Sequence, residues 1–199
     1  GVQTCALPIS PVLCLGPSEL SVGEMCSAYT TFVNRGVRCA PLFVTRIEDS
    51  HGNIVAKFQP LMNEVISEES SYKMLDMLQA VVQGGTGGRL RYHYNLTGEI
   101  GGKTGTTNKN SDGWFMGFTP QLVNGCWVGG EDRDIHFDVT AMGQGATMAL
   151  PIWAYYMQMV YADKSLHYSP NAKFDIPAHF DPCHSTDSIS VNGIQEVYF

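Results

Sequence analysis

The sequence has few charges, no basic block and no long uninterrupted apolar run. Charged residues make up 16% of the 199 positions, and the net charge is −7. Because no cluster of lysines and arginines could neutralise phosphates, nucleic acid is not expected as a partner. The longest apolar stretch, Ala149 to Val160, is interrupted by Pro151 and Gln158 and is shorter than the roughly 20 residues that cross a bilayer. It predicts a buried helix. No secretory leader opens the sequence, which predicts either a cytosolic protein or one whose N-terminal part lies outside this chain.

C-x-x-C pairs, which are typical of zinc and redox sites, are also missing. A chain of this length does not need disulfides for stability, so the cysteines are expected to be free and buried. His179, Cys183 and His184 lie close together in the sequence, but no second cluster of ligands accompanies them. We therefore predict no metal site and no cofactor. The cysteines are Cys5, Cys14, Cys26, Cys39, Cys126 and Cys183.

Three segments have helical periodicity. The first begins with a capping box, Ser21-Val22-Gly23-Glu24, and ends at Asn34-Arg35-Gly36 with a predicted glycine C′ residue. Ser67 is predicted to cap the second helix, which precedes a glycine-rich stretch. The third runs from about Ala146 to Tyr161 and is expected to pack against a sheet, because it is apolar on most sides. The apolar stripe of the second helix is formed by Tyr72, Leu75, Leu78, Val81 and Val82.

Five further segments resemble strands. Leu42 to Glu48 and Ile54 to Phe58 flank a Gly/Asn/Asp cluster and predict a β-hairpin. Leu96 to Ile100 is predicted to lead as a strand into the motif discussed next. Gly113 to Phe118 and Val123 to Gly129 follow that motif, and the short turns between them require antiparallel neighbours. The predicted fold class is α+β, with an antiparallel β-sheet and packed helices.

The motif is the stretch Gly101-Gly102-Lys103-Thr104-Gly105-Thr106-Thr107. On an extended strand Lys103 and Gly105 would share one face, and Thr104 and Thr106 the other. Gly105 leaves the backbone bare, so a peptide could add itself to the strand by main-chain hydrogen bonds. The ammonium and hydroxyl groups beside such an edge could hold a carboxylate, because charge-assisted hydrogen bonds are the stronger kind.

Phosphate binding is the competing interpretation of the glycines. Gly84 to Gly88 follows a predicted helix, whereas a dinucleotide fingerprint follows a strand. Gly102-Lys103-Thr104 matches the end of a Walker A loop, but the first glycine of that loop should stand at Thr97. A strand, not a helix, is predicted after the motif. A P-loop nucleotide-binding protein is therefore the weaker hypothesis.

The neighbourhood of the motif resembles the C-terminal part of the transpeptidase domain of penicillin-binding proteins, and the bifunctional, high-molecular-mass class is the most similar. The K-T-G box of these serine acyl-transfer enzymes matches Lys103-Thr104-Gly105. The resemblance covers about residues 11 to 164 and implies a partial β-lactamase-like fold, with residues 1 to 10 foreign to it and 165 to 199 an irregular tail. It includes Leu15-Gly16, Glu24-Met25, Ala28-Tyr29, Ile47-Glu48-Asp49, Gly98 to Thr107, Ser111 to Gly117, Trp127-Val128-Gly129 and Pro151-Ile152-Trp153.

The resemblance implies a cell-wall enzyme that cross-links peptidoglycan stem peptides ending in D-Ala-D-Ala and is acylated by β-lactams. Lys103 would supply positive charge and help to move a proton. Thr104, Gly105 and Thr106 would bind the substrate, with the two hydroxyls on its terminal carboxylate. The backbone N–H of Thr106 would be one donor of the oxyanion hole. A non-catalytic module of the same fold remains an alternative.

The sequence departs from the family pattern in two boxes. Ser70-Ser71-Tyr72-Lys73 spells S-x-x-K, but it lies within the segment already matched to a helix before the K-T-G box. S-x-N occurs only after Lys103, at Ser169-Pro170-Asn171 and Ser190-Val191-Asn192. The nucleophile is therefore expected to lie outside this chain, and the chain alone is expected to be inactive.

The class also implies a longer polypeptide at the outer face of the cytoplasmic membrane, with a glycosyltransferase domain and a membrane anchor before the transpeptidase domain. Without that part, apolar faces of the chain would be exposed to solvent. We therefore expect the isolated chain to be poorly soluble.

Overall fold

The computed structural model describes residues 19–177 and 180. Within these residues the helices and strands follow one another in mixed order. The helices are α1 (Val22–Val33), α2 (Glu68–Gln83), α3 (Arg89–Tyr92), α4 (Thr140–Gly143) and α5 (Gly145–Ala162). The strands are β1 (Val37–Cys39), β2 (Arg46–Glu48), β3 (Ile54–Lys57), β4 (Met62–Glu64), β5 (Gly101–Thr106), β6 (Asp112–Phe118) and β7 (Val123–Gly129).

The main sheet is antiparallel, with the strand order β5-β6-β7. Strand β6 lies in the middle, where its register pairs Gly101 with Phe118 on one side and Phe118 with Val123 on the other. Two further antiparallel pairs, β1 with β4 and β2 with β3, lie between α1 and α2 in the sequence. The predicted α+β class with an antiparallel sheet is confirmed.

Helices cover both faces of the main sheet. The ring of Phe115 in β6 packs edge-on against Trp153 of α5, with 5.3 Å between ring centroids. Phe118, three residues further along the same strand, packs instead against Tyr29 of α1 at 6.3 Å. Because side chains an odd number of positions apart on a strand point to opposite faces, α5 and α1 lie on opposite sides of the sheet.

Helix α2 packs alongside β5 and contributes to the core on both faces. Its C-terminal Val82 is buried in the cluster with Phe115 and Trp153 beneath α5. Three residues nearer its N-terminus, Tyr72, Leu75 and Leu78, pack instead around Phe118. The C-terminal end of α2 is thereby held beside β5, which matters for the site described below.

The predicted helix starts and the third helix are confirmed. In the capping box of α1, the backbone N–H of Ser21 donates to Glu24 Oε2 at 2.8 Å, and the N–H of Glu24 donates to Ser21 Oγ at 3.2 Å. Ser67 caps α2 by accepting from the N–H of Ser70 at 3.2 Å. At the end of α1 the residue directly after the C-cap is not the predicted glycine: Arg35 has the left-handed conformation there, with φ 54°.

Two strand predictions are wrong: one predicted strand does not form, and another is shorter than predicted. Leu96 to Ile100 is not a strand, because the guanidinium of Arg91 binds the carbonyl oxygens of Leu96 and Gly98, each at 2.6 Å. These carbonyl groups are therefore not available to a sheet. The first strand of the predicted hairpin begins at Arg46 instead of Leu42, because β3 pairs with β2 only as far as Lys57.

The outer side of α5 has an apolar stripe. Ile152, Tyr155, Tyr156 and Met159 recur at helical spacing and are 47 to 72% exposed. Among the described residues, no helix combines the length and apolarity that a bilayer span requires.

After α5 a short 3₁₀ helix, Lys164–Leu166, is followed by irregular chain as far as residue 177. Phe174 packs against Phe118, and its N–H donates to Glu99 Oε2 at 2.6 Å. The predicted foreign segment, residues 1 to 10, lies outside the described residues, as do positions 181 to 199 of the tail.

Candidate active site

Strand β5 forms one edge of the main sheet. Its residues Gly101 to Thr106 pair with β6 on one side, and no strand of the described residues pairs with the other side. Every second residue of an edge strand directs its backbone N–H and C=O groups away from the sheet. Strand β5 can therefore accept an added strand.

The hydrogen bond that closes the β5–β6 hairpin shows which groups face the open edge. The N–H of Thr107 donates to the carbonyl of Asp112, which lies on the β6 side, at 3.1 Å. By alternation, the N–H and C=O groups of Thr106 and Thr104 point to the open edge. The backbone donor predicted for the oxyanion hole, Thr106 N–H, is thus directed away from the sheet.

The cross-strand register shows the two faces of the motif. Lys103 lies opposite Met116 and Gly105 opposite Trp114, while Thr106 lies opposite Gly113. Lys103 and Gly105 therefore share one face, and Thr104 and Thr106 share the α5 face, as the sequence predicts.

Lys103 lies at the open edge with its ammonium group exposed. Its Nζ donates to the carbonyl oxygen of Thr104 at 2.9 Å. An ammonium has three N–H donors, so this bond leaves donors for a ligand. No carboxylate in the described part of the chain forms an ion pair with Lys103. The cation at this edge therefore has no competing internal anion among those residues.

The threonine hydroxyls on the α5 face are held by neighbouring elements. Thr106 Oγ1 accepts a hydrogen bond from the N–H of Gly145, the first residue of α5, at 3.0 Å. Because the hydroxyl acts as acceptor there, its own proton is available to an anion. The N-terminus of α5 adds the partial positive charge of the helix dipole. Thr104 Oγ1 lies 2.8 Å from the hydroxyl of Thr86, in the turn after α2.

A polar cluster that the sequence interpretation missed closes the far end of the hairpin. The carboxylate of Asp112 accepts from Thr107 Oγ1 at 2.8 Å, from Ser111 Oγ at 3.2 Å and from Trp127 Nε1 at 3.0 Å. Partial burial raises the pKa of Asp112, but these three hydrogen bonds outweigh it, and the pKa is lowered overall. The cluster joins β6 to β7 and holds Thr107, the residue that follows β5. The sequence predicts only a polar turn at Asn108 to Asp112. It does not predict the hydrogen bond to Trp127, which lies 15 positions further along the chain.

The local S-x-x-K sequence lies far from the edge strand. Ser70 is in the first turn of α2, where its hydroxyl accepts from Ser67 Oγ at 2.9 Å. Lys73 forms an ion pair with Glu69 at 2.6 Å. The end of α2 that approaches Thr104 is about 20 Å further along the helix axis, at 1.5 Å per residue. Ser70 therefore does not belong to this site.

The structure does not support phosphate binding. Lys103 lies inside a strand, and Gly84 to Gly88 follows the end of α2, so neither stretch has a strand before it and a long helix after it.

Within residues 19–177 and 180, no group of three His, Cys, Asp or Glu side chains could hold a metal ion. His179, Cys183 and His184 lie outside those residues. Cys26, Cys39 and Cys126 are free and half-buried, and Cys126 packs against the core beneath α5.

Comparisons with known proteins show which family the chain resembles. Residues 13–129 match the model of the penicillin binding protein transpeptidase domain. Penicillin-binding protein 1A of Aquifex aeolicus is 36% identical over 83% of this chain and 21% of its own length, and that of Neisseria lactamica is 34% identical over 79% and 20%. The chain thus spans about a fifth of the length of these relatives.

Solved structures show the same similarity. Penicillin-binding protein 1A of Haemophilus influenzae superposes with a TM-score of 0.72 at 26% identity, over 85% of this chain and 30% of that one. PonA1 of Mycobacterium tuberculosis, solved in complex with penicillin V, has a TM-score of 0.70 at 25% identity, over 88% and 46%.

Proposed function

The chain belongs to the penicillin-binding protein transpeptidase family and forms part of the transpeptidase domain, and we propose that β5 is the substrate-binding wall of a serine-type D,D-transpeptidase site. The observation that carries the proposal is the open edge of β5. There an ammonium with no ion pair among the described residues, an outward backbone N–H and two hydroxyls occur within four consecutive residues. These groups suit a peptide that ends in a carboxylate.

In the proposed complex, a stem peptide ending in D-Ala-D-Ala, or a β-lactam, adds to β5 as an extra strand. Lys103 and the hydroxyl protons of Thr104 and Thr106 bind its terminal carboxylate, because charge-assisted hydrogen bonds favour that anion. Gly105 permits close approach, since it has no side chain on the Lys103 face of the strand.

The proposed reaction is acyl transfer. A serine attacks the carbonyl carbon of the penultimate D-Ala, and the carbonyl oxygen takes up the negative charge. Thr106 N–H donates to this oxyanion; losing one such donor typically lowers the rate by about 10²–10³. The C–N bond then breaks, D-Ala leaves with a proton, and an amine of a neighbouring stem peptide attacks the acyl-enzyme to form the cross-link. Lys103 assists the proton transfers.

We propose that the serine and its lysine belong to a longer polypeptide that contains this chain. Support comes from the sequence, which has no S-x-N before Lys103, and from the position of Ser70 at the far end of α2. The relatives are about five times as long as the matched segment. By analogy with the bifunctional class, the remainder would hold a glycosyltransferase domain and an anchor at the outer face of the cytoplasmic membrane.

Labelling with a fluorescent penicillin, followed by denaturing electrophoresis, tests the proposal. The isolated chain should give no covalent band, and the longer polypeptide should give one. In the longer polypeptide, Lys103→Ala should lower labelling about 10- to 100-fold through the loss of a charged hydrogen-bond donor. Lys57→Ala, which removes an exposed lysine of β3, is the matched control and should label normally. A band on the isolated chain that Ser70→Ala abolishes would contradict the assignment.

The role of the Thr106 N–H is tested by comparing two variants of the longer polypeptide. Thr106→Ala removes only the hydroxyl, whereas Thr106→Pro also removes the N–H. Because that N–H faces the open edge, proline breaks no hydrogen bond to β6. We expect the proline variant to acylate about 10²–10³ times more slowly than the alanine variant. Equal rates in the two variants would rule out the N–H as an oxyanion donor.

A further inference from the structure

The turn after α2 brings a single hydroxyl to the edge strand. Thr86 lies at the centre of the glycine-rich stretch Gly84 to Gly88, and its Oγ1 is 2.8 Å from Thr104 Oγ1. The two residues are separated by 18 positions in the sequence. This contact is the place where the turn reaches a side chain of the K-T-G-T motif.

Backbone hydrogen bonds hold the turn in position. The N–H of Gly87 donates to the carbonyl of Val81 at 3.0 Å, and the N–H of Gly88 donates to the carbonyl of Gly85, also at 3.0 Å. A Cβ on Gly85 would lie 3.0 Å from Val81 O, so the turn packs against α2 too closely for a side chain there. The turn is thus an extension of α2, which itself packs against β5.

Arg89, the first residue of α3 directly after the turn, also contacts α5. The guanidinium of Arg89 lies 3.5 Å from the carbonyl of Ala146 in the first turn of α5. The turn that contains Thr86 is therefore held at its start by α2 and at its end by a residue that reaches α5.

Each hydroxyl of the pair has one proton and two acceptor lone pairs. Between the two hydroxyls only one proton can lie in the shared hydrogen bond, so one hydroxyl keeps a proton for another acceptor. A carboxylate bound at Thr104 would take the proton of Thr104, and Thr86 must then be the donor in the pair. A donor that is itself an acceptor is polarised and forms a stronger hydrogen bond.

We propose that Thr86 is a positioning residue for the carboxylate-binding hydroxyl: it donates to Thr104 Oγ1 and thereby directs the Thr104 proton at the ligand's carboxylate. The inference rests on the proposed function and adds to it a residue outside the K-T-G-T motif. Thr86 itself does not need to touch the ligand. Its effect should therefore appear only with ligands that have a free carboxylate.

The test uses the longer polypeptide and two ligands, benzylpenicillin and its methyl ester; each is incubated with the protein for a set of times, and the unreacted sites are then labelled to completion with a fluorescent penicillin. Thr86→Val and Thr86→Ala should lower the acylation efficiency of the free acid about three- to tenfold, as expected for one lost hydrogen bond. The ester should lose less than about twofold, because it has no anion to accept the Thr104 proton. Thr86→Ser should restore the efficiency of the wild type. Thr45→Val, at an exposed threonine before β2, is the matched control and should leave both ligands unaffected.

Three results would overturn the inference. Unchanged acylation of the free acid in both Thr86→Val and Thr86→Ala would show that the hydroxyl is not used. An equal loss for acid and ester would show that Thr86 only supports the fold, as would a Thr86→Ser variant that behaves like the valine variant. Failure of the unsubstituted polypeptide to react with any penicillin is a separate result, since it removes the proposed function and the role of Thr86 with it.

Discussion

The packing of α5 on the edge strand gives a quantitative prediction for Gly145→Ala. A Cβ at this position would overlap the carbonyl oxygens of Gly105 and Trp114 and lie 3.1 Å from Trp114 N. These are backbone atoms of two paired strands, so they cannot rotate aside, and the start of α5 must move away from the sheet. Overpacking costs about 1–3 kcal/mol, whereas Gly→Ala in a helix returns up to about 1 kcal/mol. We expect a net loss of roughly 1–2 kcal/mol in the free energy of unfolding.

Urea unfolding followed by circular dichroism measures this loss, and at this chain length the melting temperature should fall by about 2–8 °C. Gly23→Ala is the matched control: Gly23 also lies in the first turn of a helix, but an added Cβ would meet nothing closer than Ser21 Oγ at 4.0 Å. That variant should be more stable than the wild type, by up to about 1 kcal/mol. If both variants were stabilised alike, the described contact between α5 and the two strands would be wrong.

Two further predictions concern the isolated chain. Asp112→Asn should lower the free energy of unfolding by roughly 1.5 kcal/mol at pH 7. The carboxylate accepts three hydrogen bonds, whereas the amide of asparagine has an NH₂ group that can only donate. Since the pKa of Asp112 is lowered in the folded state, its contribution is present above about pH 4 and is lost as the pH falls through the folded-state pKa. The difference in the free energy of unfolding between variant and wild type, measured by urea unfolding, should therefore narrow as the pH falls below about 4. A difference that does not change with pH would contradict the role of the carboxylate. The double substitution Tyr155→Lys and Met159→Lys, on the exposed stripe of α5, should shift the chain toward monomer in size-exclusion chromatography; an unchanged elution volume would show that another surface associates.

Local signals in the sequence predict the elements of this fold well. The capping box of α1, the serine cap of α2 and the turn-separated strands β6 and β7 all depend on residues a few positions apart, so their physical causes can be read from short windows. The K-T-G-T motif itself is recognisable for the same reason.

The supporting contacts of the site could not be predicted in this way. The Thr86 hydroxyl reaches Thr104 across 18 positions, and Trp127 reaches Asp112 across 15. Such contacts depend on how α2 and β7 pack, which no local pattern specifies. The wrong strand at Leu96 to Ile100 has a similar origin, because a guanidinium from an earlier helix takes up its carbonyl groups.

The exposed edge of β5 also affects the protein before any substrate arrives. A bare strand edge is a template for a second copy of the same strand, and many proteins place a lysine on such an edge to discourage self-pairing. Lys103 occupies this position, and its ammonium already covers the outward carbonyl of Thr104, where the N–H of an intruding copy would bind. Lys103 would thus attract an anionic peptide and also repel the same lysine on a second copy of the chain. The Lys103→Ala chain should aggregate more than the Lys57→Ala chain and therefore scatter more light. Equal scattering would show that Lys103 does not prevent self-pairing of the edge strand.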